Sequence, residues 1–383
     1  MGLASKLVLA YGVQQGAQVI QQLNKPSPYP QAQGPGQAQS YYQQSPASHQ
    51  QPVGQHGGYN PGYAAAGGAA VGAAVAGAYA HGHGQGAPPS YGAGAAGNAT
   101  NVQYIVNILQ QCVMDQNLQA FYPPGSLEPV AHRIAQTGAL NRISTEWRIP
   151  MEVAVDMAKL ALFDTVLYLD DSGSMQFEEN GSRIDDLKLI VSRVAQAASL
   201  FDSDGITVRM MNSRVEGNNI TNDQLVQQFL STINFSGLTP FGTNLDHKVI
   251  QPLVVGPARA NVLRKPILVI AVTDGEPTGE DRRTLVNAVR NAKAALQQTR
   301  YGADALSVEI AQVGNDQKAR AFLEQIDSDP HAGGMIDVTG TYEQESDNMQ
   351  RVTGISLTPD MWLQKLMLGG ISSDYDHKDE SRY

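Results

Sequence analysis

The feature that most constrains the fold is an alternation beginning near Phe163. Short apolar runs recur at Thr165–Leu169, Ile206–Met211, Ile267–Thr273, Leu306–Val313 and Met335–Val338. Strands buried on both faces read as near-continuous apolar runs, and strands alternating with helices imply parallel βαβ units. The stretches between them carry helical spacing. From Ser182 to about Leu200, Ile184, Leu187, Val191, Val194 and Ala198 share one face. Further helices are expected over Asn222–Ser231, from Thr243 to about Val255, from Thr278–Asp281 onward with Leu285, Val289, Ala292 and Leu296 inward, and over 315–326. Ser182-Arg-Ile-Asp185 and Thr243-Asn-Leu-Asp246 both have capping-box form. A short edge strand is expected near Arg214–Glu216.

Within this pattern one run stands apart, Thr165 to Met175, Thr-Val-Leu-Tyr-Leu-Asp-Asp-Ser-Gly-Ser-Met. It opens as a buried strand and breaks into acids, hydroxyls and a glycine. Open α/β sheets bind ligands beyond the carboxyl ends of their strands, so Asp170, Ser172 and Ser174 fall where ligands go. All three offer oxygen and none offers nitrogen or sulfur. That is the donor set of a hard divalent cation such as Mg²⁺, not of zinc. The competing reading is a solvated turn with serine helix-capping.

The Asp170-x-Ser172-x-Ser174 pattern resembles the metal-ion-dependent adhesion site of the von Willebrand factor A (vWA) family. Two more loops in the right order support the resemblance: Gly237-Leu-Thr-Pro-Phe-Gly-Thr243 in the place of that family's threonine loop, and Ile267-Leu-Val-Ile-Ala-Val-Thr-Asp-Gly275, a strand ending in Asp274. The resemblance covers roughly Phe163 to Val338, a little under half of the chain. It implies an α/β, doubly wound, mostly parallel six-stranded sheet with helices on both faces and one antiparallel edge strand. It also implies that Ser172 and Ser174 bind Mg²⁺ or Mn²⁺ through their hydroxyls, that Asp170 and Asp274 act mainly through water, and that the ion captures an acidic side chain of a partner protein. Carboxylates held one water away quench a divalent charge only partly, which leaves the ion electrophilic.

The loop Gly237–Thr243 offers two threonines. Thr243 stands where a helix N-cap is needed. Thr239 is therefore read as the metal ligand, and the spacing in the vWA family also places the ligand at this earlier threonine. Pro240 biases Thr239 toward extended geometry. Asp171, between motif positions, is read as an outer-shell or surface acid, and Glu178 and Glu179 as solvated loop acids.

The first hundred residues obey other rules. They contain Lys6, Lys25 and no Asp or Glu, so the chain's net charge of −10 becomes −12 over the remaining 283 residues. The acidic balance argues against a nucleic-acid binder. Residues 25–100, rich in Gln, Pro, Gly, Tyr, Ser and Ala, carry too little branched aliphatic surface to offset ordering entropy. They read as a disordered, low-complexity region whose scattered Tyr41, Tyr42, Tyr59, Tyr63, Tyr79 and Tyr91 favour self-association. Ala64–Ala80 is uncharged, but Ala and Gly supply little transfer energy for a membrane span. His81 and His83 are read as part of a solvated linker. Residues 1–24 are read as a weak amphipathic helix, with a membrane-surface or partner-binding role set against an unstructured tail. The apolar run Leu7–Val13 lacks the block and cleavage site of a secretory signal. Lys6 breaks the myristoylation pattern that Gly2 would begin. Cys112 is the single cysteine, so no intrachain disulfide forms. A reducing, cytoplasmic setting is the expectation.

Residues 101–162 read as a helical segment. A first helix over about 101–119 places Cys112 on its apolar face as a buried thiol. Ser126 caps a second helix that Gly138 closes, and a third runs over Met151–Ala161. Trp147 is expected to anchor these helices to the vWA-like region, 163–340. One or two helices and a disordered charged end, Asp374–Tyr383, are expected over 341–383.

Three functions compete. The first is a non-enzymatic protein-binding module using the metal. The second is a self-assembling scaffold driven by residues 25–100. The third is a metal-dependent phosphotransferase or hydrolase. Against the third, aspartate-nucleophile enzymes usually place a second acid two residues after the first, whereas Asp171 follows Asp170 directly. No Gly-x-x-x-x-Gly-Lys loop is present, and no Ser/His/Asp set suggests itself around loop histidines such as His247, His331 and His377.

Overall fold

The computed structural model describes residues 3–11, 101–177, 181–329 and 335–375. The low-complexity region, Glu178, Glu179 and residues 376–383 lie outside the described residues.

Six strands form one sheet in the order β3-β2-β1-β4-β5-β6: β1 Asp164–Leu169, β2 Ile206–Met210, β3 Glu216–Ile220, β4 Ile267–Thr273, β5 Leu306–Gln312 and β6 Ile336–Thr339. All neighbours are parallel except β2 and β3. Every residue of β4 and β5 is buried; β4 is apolar up to Thr273, whereas β5 also buries Ser307, Glu309 and Gln312. The pleat sends alternate side chains to two cores. Leu167, Leu169, Leu268 and Ile270 join one, and Val166, Tyr168, Val269 and Ala271 the other. The helix Thr284–Gln297 buries Leu285, Val289, Ala292 and Leu296 in the second core, as its spacing predicts. The helix Ser182–Phe201 packs in the first.

That first core is shared with segments far away in sequence. Helices Val102–Asp115, Leu127–Thr137 and Ala139–Glu146 contribute to it, with the passage Met151–Leu162 and the late helix Pro359–Leu368. Trp147 is fully buried. Its indole N–H donates to Gln196 Oε1 at 3.4 Å, and the Arg193 guanidinium stands 5.7 Å from its ring centroid. Cys112 is buried, and the lost hydration of its thiolate pushes the thiol up to about 12, out of the range of a nucleophile at neutral pH.

The first helix, Leu3–Tyr11, buries Leu3, Ala4 and Leu7 in the same core. Lys6 is buried with them and ion-pairs with Asp156, which also accepts a 2.6 Å hydrogen bond from the Tyr375 hydroxyl. These residues are therefore turned to protein, the face a surface-lying helix would offer to lipid. The turn Ser373–Tyr375 is held by the contact with Asp156 and by Gln364 Nε2, which donates to the Tyr375 hydroxyl at 3.1 Å. Asp374 and Tyr375 therefore do not belong to the expected disordered end, the rest of which lies outside the described residues. No helix among the described residues is long and apolar enough to cross a membrane.

Several predicted element starts are displaced. Gly181, at φ +84°, takes the N-cap before Ser182–Phe201, so the capping box at Ser182 does not form. The helix expected from Thr243 begins at Phe241 and passes at Asp246–Val255 into a wider π-type winding around Pro252, which has no N–H to give. The helix expected from Thr278–Asp281 begins at Thr284, because the side chains of Thr278 and Glu280 are committed to the neighbouring loop. The edge strand lies at Glu216–Ile220, just after its expected place.

β5 buries an acid. Glu309 on β5 is fully buried, and neither of its oxygens finds a hydrogen bond among the described residues. A Cβ on Gly369 would come within 2.7 Å of Glu309 Oε2 and would also strike Asp337 Oδ2, so only glycine fits over the pair. Burial, then the charge of Asp337 beside it, pushes the Glu309 carboxyl well above its ordinary 4.5. A raised carboxyl favours the folded state while protonated and penalises it as pH rises past the ordinary value. Glu309→Gln is therefore expected to stabilise the chain at pH 7.5 by about 1–3 kcal/mol. The gain should shrink as pH falls toward 4.5, read from urea midpoints across pH.

Candidate functional site

Chain order along the sheet reverses between β1 and β4: β1 leads outward to β2 and β3, β4 to β5 and β6. The carboxyl ends of β1 and β4 therefore open a crevice at the sheet's centre. Three loops meet there, and backbone bonds tie them. Asp170 N–H extends the ladder to Val272 O at 2.9 Å. Gly173 N–H donates to Gly237 O at 3.1 Å and Ser236 N–H to Asp171 O at 2.7 Å, which joins the first loop to the threonine loop. Thr239 N–H donates to Thr278 Oγ1 at 2.8 Å, and Thr278 N–H returns to Thr239 O at 3.1 Å, which joins the threonine loop to the segment after β4.

Four of the predicted site residues form one polar constellation. The Ser172 and Ser174 hydroxyls are 3.0 Å apart, and Ser174 Oγ donates to Asp274 Oδ1 at 3.0 Å. Asp170 accepts Ser172 N–H at Oδ1 (2.9 Å) and Thr273 Oγ1–H at Oδ2 (2.7 Å). Asp170 and Asp274 are both fully buried. Burial, and then the Asp274 charge, pushes the Asp170 carboxyl up to about 6, against the pull of its hydrogen bonds with Ser172 and Thr273. Thr239, the fifth, is buried on the loop that is bonded to both others.

Two readings of single residues are corrected. Asp171 is fully buried, which excludes the surface-acid alternative of its outer-shell or surface reading. Its oxygens accept Asn212 N–H at 2.6 Å and Ser213 N–H at 2.7 Å, which fixes the chain after β2. Thr243 is exposed inside the first turn of Phe241–Leu245 and caps nothing. The cap comes from Glu280, whose carboxylate accepts Gly242 N–H at 2.7 Å and Thr243 N–H at 2.9 Å. Two otherwise unpaired helix donors meet a negative charge there. Glu280→Ala is expected to cost about 0.5–2 kcal/mol in thermal or urea unfolding. Thr243→Ala should stay within about 0.5 kcal/mol.

Sequence reasoning missed Arg183 and Thr273. Arg183 Nη1 donates to Asp274 Oδ2 at 2.6 Å, with 3% of the arginine side chain and none of the aspartate exposed. One signal was available: a cation in a helix's first turn opposes the macrodipole, and such local violations concentrate at functional sites.

Among the described residues no three side chains of His, Cys, Asp and Glu gather as a metal would require. A cation in this crevice would thus be completed by hydroxyl oxygens, which Ser172 and Ser174 supply beside two carboxylates. That donor set fits Mg²⁺ or Mn²⁺ and does not fit zinc. A scan against models of known protein families finds no match to this chain, and neither does a search of curated proteins.

Proposed function

We propose that this chain is a non-enzymatic protein-binding module of the vWA type, doubly wound, working inside the cell. In this reading Ser172 and Ser174 hold Mg²⁺ or Mn²⁺ directly, Thr239 adds a third hydroxyl, and Asp170 and Asp274 act through water. When bound, the metal supplies an electrophilic position for an acidic side chain of a partner protein. The chain's own residues do the rest. Hydrogen bonds from Ser172 N–H and Thr273 orient Asp170, and Ser174 fixes one oxygen of Asp274.

The observation that carries the reading is the run of contacts from Ser172 through Ser174 to Asp274, at the ends of adjacent strands where the strand order reverses. Among the described residues hydroxyls and carboxylates converge there without a histidine or cysteine, which favours oxygen-seeking cation chemistry over nucleophilic catalysis. The test is calorimetric titration of Mg²⁺ and Mn²⁺ into the EDTA-treated, dialysed full-length chain. One saturable site is expected, and no heat of binding for either ion would overturn the reading.

A further inference from the structure

The buried Arg183–Asp274 pair has no place in the metal-ligand set, yet it engages one of that set's two carboxylates. Resting on the metal reading above, we propose that Arg183 is a positioning residue that holds Asp274 back from the metal and sets how much positive charge the bound ion keeps for a partner.

Both Asp274 oxygens are engaged by protein groups, Oδ1 by Ser174 Oγ and Oδ2 by Arg183 Nη1. Each oxygen keeps a second lone pair, but a shift of the carboxylate toward an ion would stretch these contacts. Leaving the guanidinium is the costlier move, because the pair is buried, with 3% of the arginine side chain and none of the aspartate exposed. Arg183 also lowers the charge facing the ion. With Asp170 and Asp274 ionised, Arg183 brings the formal charge of these three groups to −1 instead of −2. A divalent ion there keeps an excess positive charge that an incoming carboxylate can satisfy. The arginine does not serve its own helix, since a first-turn cation opposes the dipole. Nor is the pair a surface contact of small consequence, because both partners are buried.

Arg183 therefore trades metal affinity for electrophilicity. The test measures Mg²⁺ dissociation constants by calorimetry, and melting temperatures with and without saturating Mg²⁺, on the full chain. Arg183→Gln should bind Mg²⁺ at least about tenfold more tightly, since a buried positive charge beside the ion is gone. Its metal-free melting temperature should fall, because a buried ion pair is broken, and saturating Mg²⁺ should recover most of that loss. Arg183→Lys keeps a charge but not the planar fork, so its hold on Asp274 is weaker. Its affinity should lie between those of the wild type and Arg183→Gln, which keeps the test decisive if the glutamine variant does not fold. If either folded variant binds Mg²⁺ no more tightly than the wild type, and melts lower by the same amount with and without metal, Arg183 is only a structural tie and the inference fails. If the wild type itself binds no divalent ion, the metal reading fails and takes this inference with it.

Discussion

Asp170→Ala is expected to abolish the rise in melting temperature that Mg²⁺ gives the wild-type chain. A ligand that binds only the folded state stabilises it by about 2.7 kcal/mol at a hundredfold excess over its dissociation constant. For a cooperative unit of this size that is roughly 2–4 °C per kcal/mol. Asp170 is fully buried at the end of β1, and its two oxygens organise the turn through Ser172 N–H and the Thr273 hydroxyl. Removing it takes away one of the two negative charges and the anchor that orients Ser172. The metal-free variant should not be crippled, because the carboxyl sits against Asp274 and is pushed up to about 6 by burial and that charge. The expected signature is a near-normal melting temperature without Mg²⁺ and no response to Mg²⁺. A variant that responds as the wild type does would place the metal elsewhere.

Gly242→Ala should cause the largest loss of stability of any single methyl group added near the site. Gly242 is buried in the one-turn helix Phe241–Leu245, where it lies against the start of helix Thr284–Gln297. A Cβ there would come 2.6 Å from Leu285 Cα and would also strike Leu285 N. These are backbone atoms, so no rotamer change relieves the clash, and the two helices must separate. Overpacking of this kind costs about 1–3 kcal/mol, occasionally more. The displaced turn follows Thr239 directly and carries the Glu280 cap, so Gly242→Ala should also weaken Mg²⁺ binding. Urea unfolding and Mg²⁺ calorimetry on one preparation test both parts. Wild-type stability in this variant would contradict the close approach.

The residues that were legible in the sequence are those whose neighbours lie along the chain. β4 was readable to the residue, because six consecutive apolar positions before Thr273, buried on both faces, leave no other reading. Helix Thr284–Gln297 showed its inward face through simple spacing, and Gly138 marked the end of Leu127–Thr137 by its left-handed φ of +63°. What was not legible depends on partners far away in sequence. Thr243 looked like a cap because the local pattern was right, but the helix starts earlier and a carboxylate 37 residues later takes its first donors, Gly242 N–H and Thr243 N–H. The surface alternative for Asp171 rested on a tight turn after a strand usually being exposed, and it falls because the chain after β2 folds over the residue. Arg183 was hidden inside an apparent capping box, and its role appears only when helix Ser182–Phe201 brings it to Asp274, 91 residues on. The loop order that suggested the metal site was written in the sequence, while the charges that would tune it come from packing.

The central claim is metal-dependent capture of an acidic partner. The most direct measurement is affinity capture of a partner from cell extract on the immobilised full-length chain in Mg²⁺, followed by EDTA elution and rebinding of the eluted protein. The expected result is a partner that binds in Mg²⁺, leaves with EDTA, fails to bind the Asp170→Ala chain, and loses binding when one of its own acidic residues is replaced by the matching amide. A partner that stays bound through EDTA, or binds the Asp170→Ala chain as well as the wild type, would contradict the account.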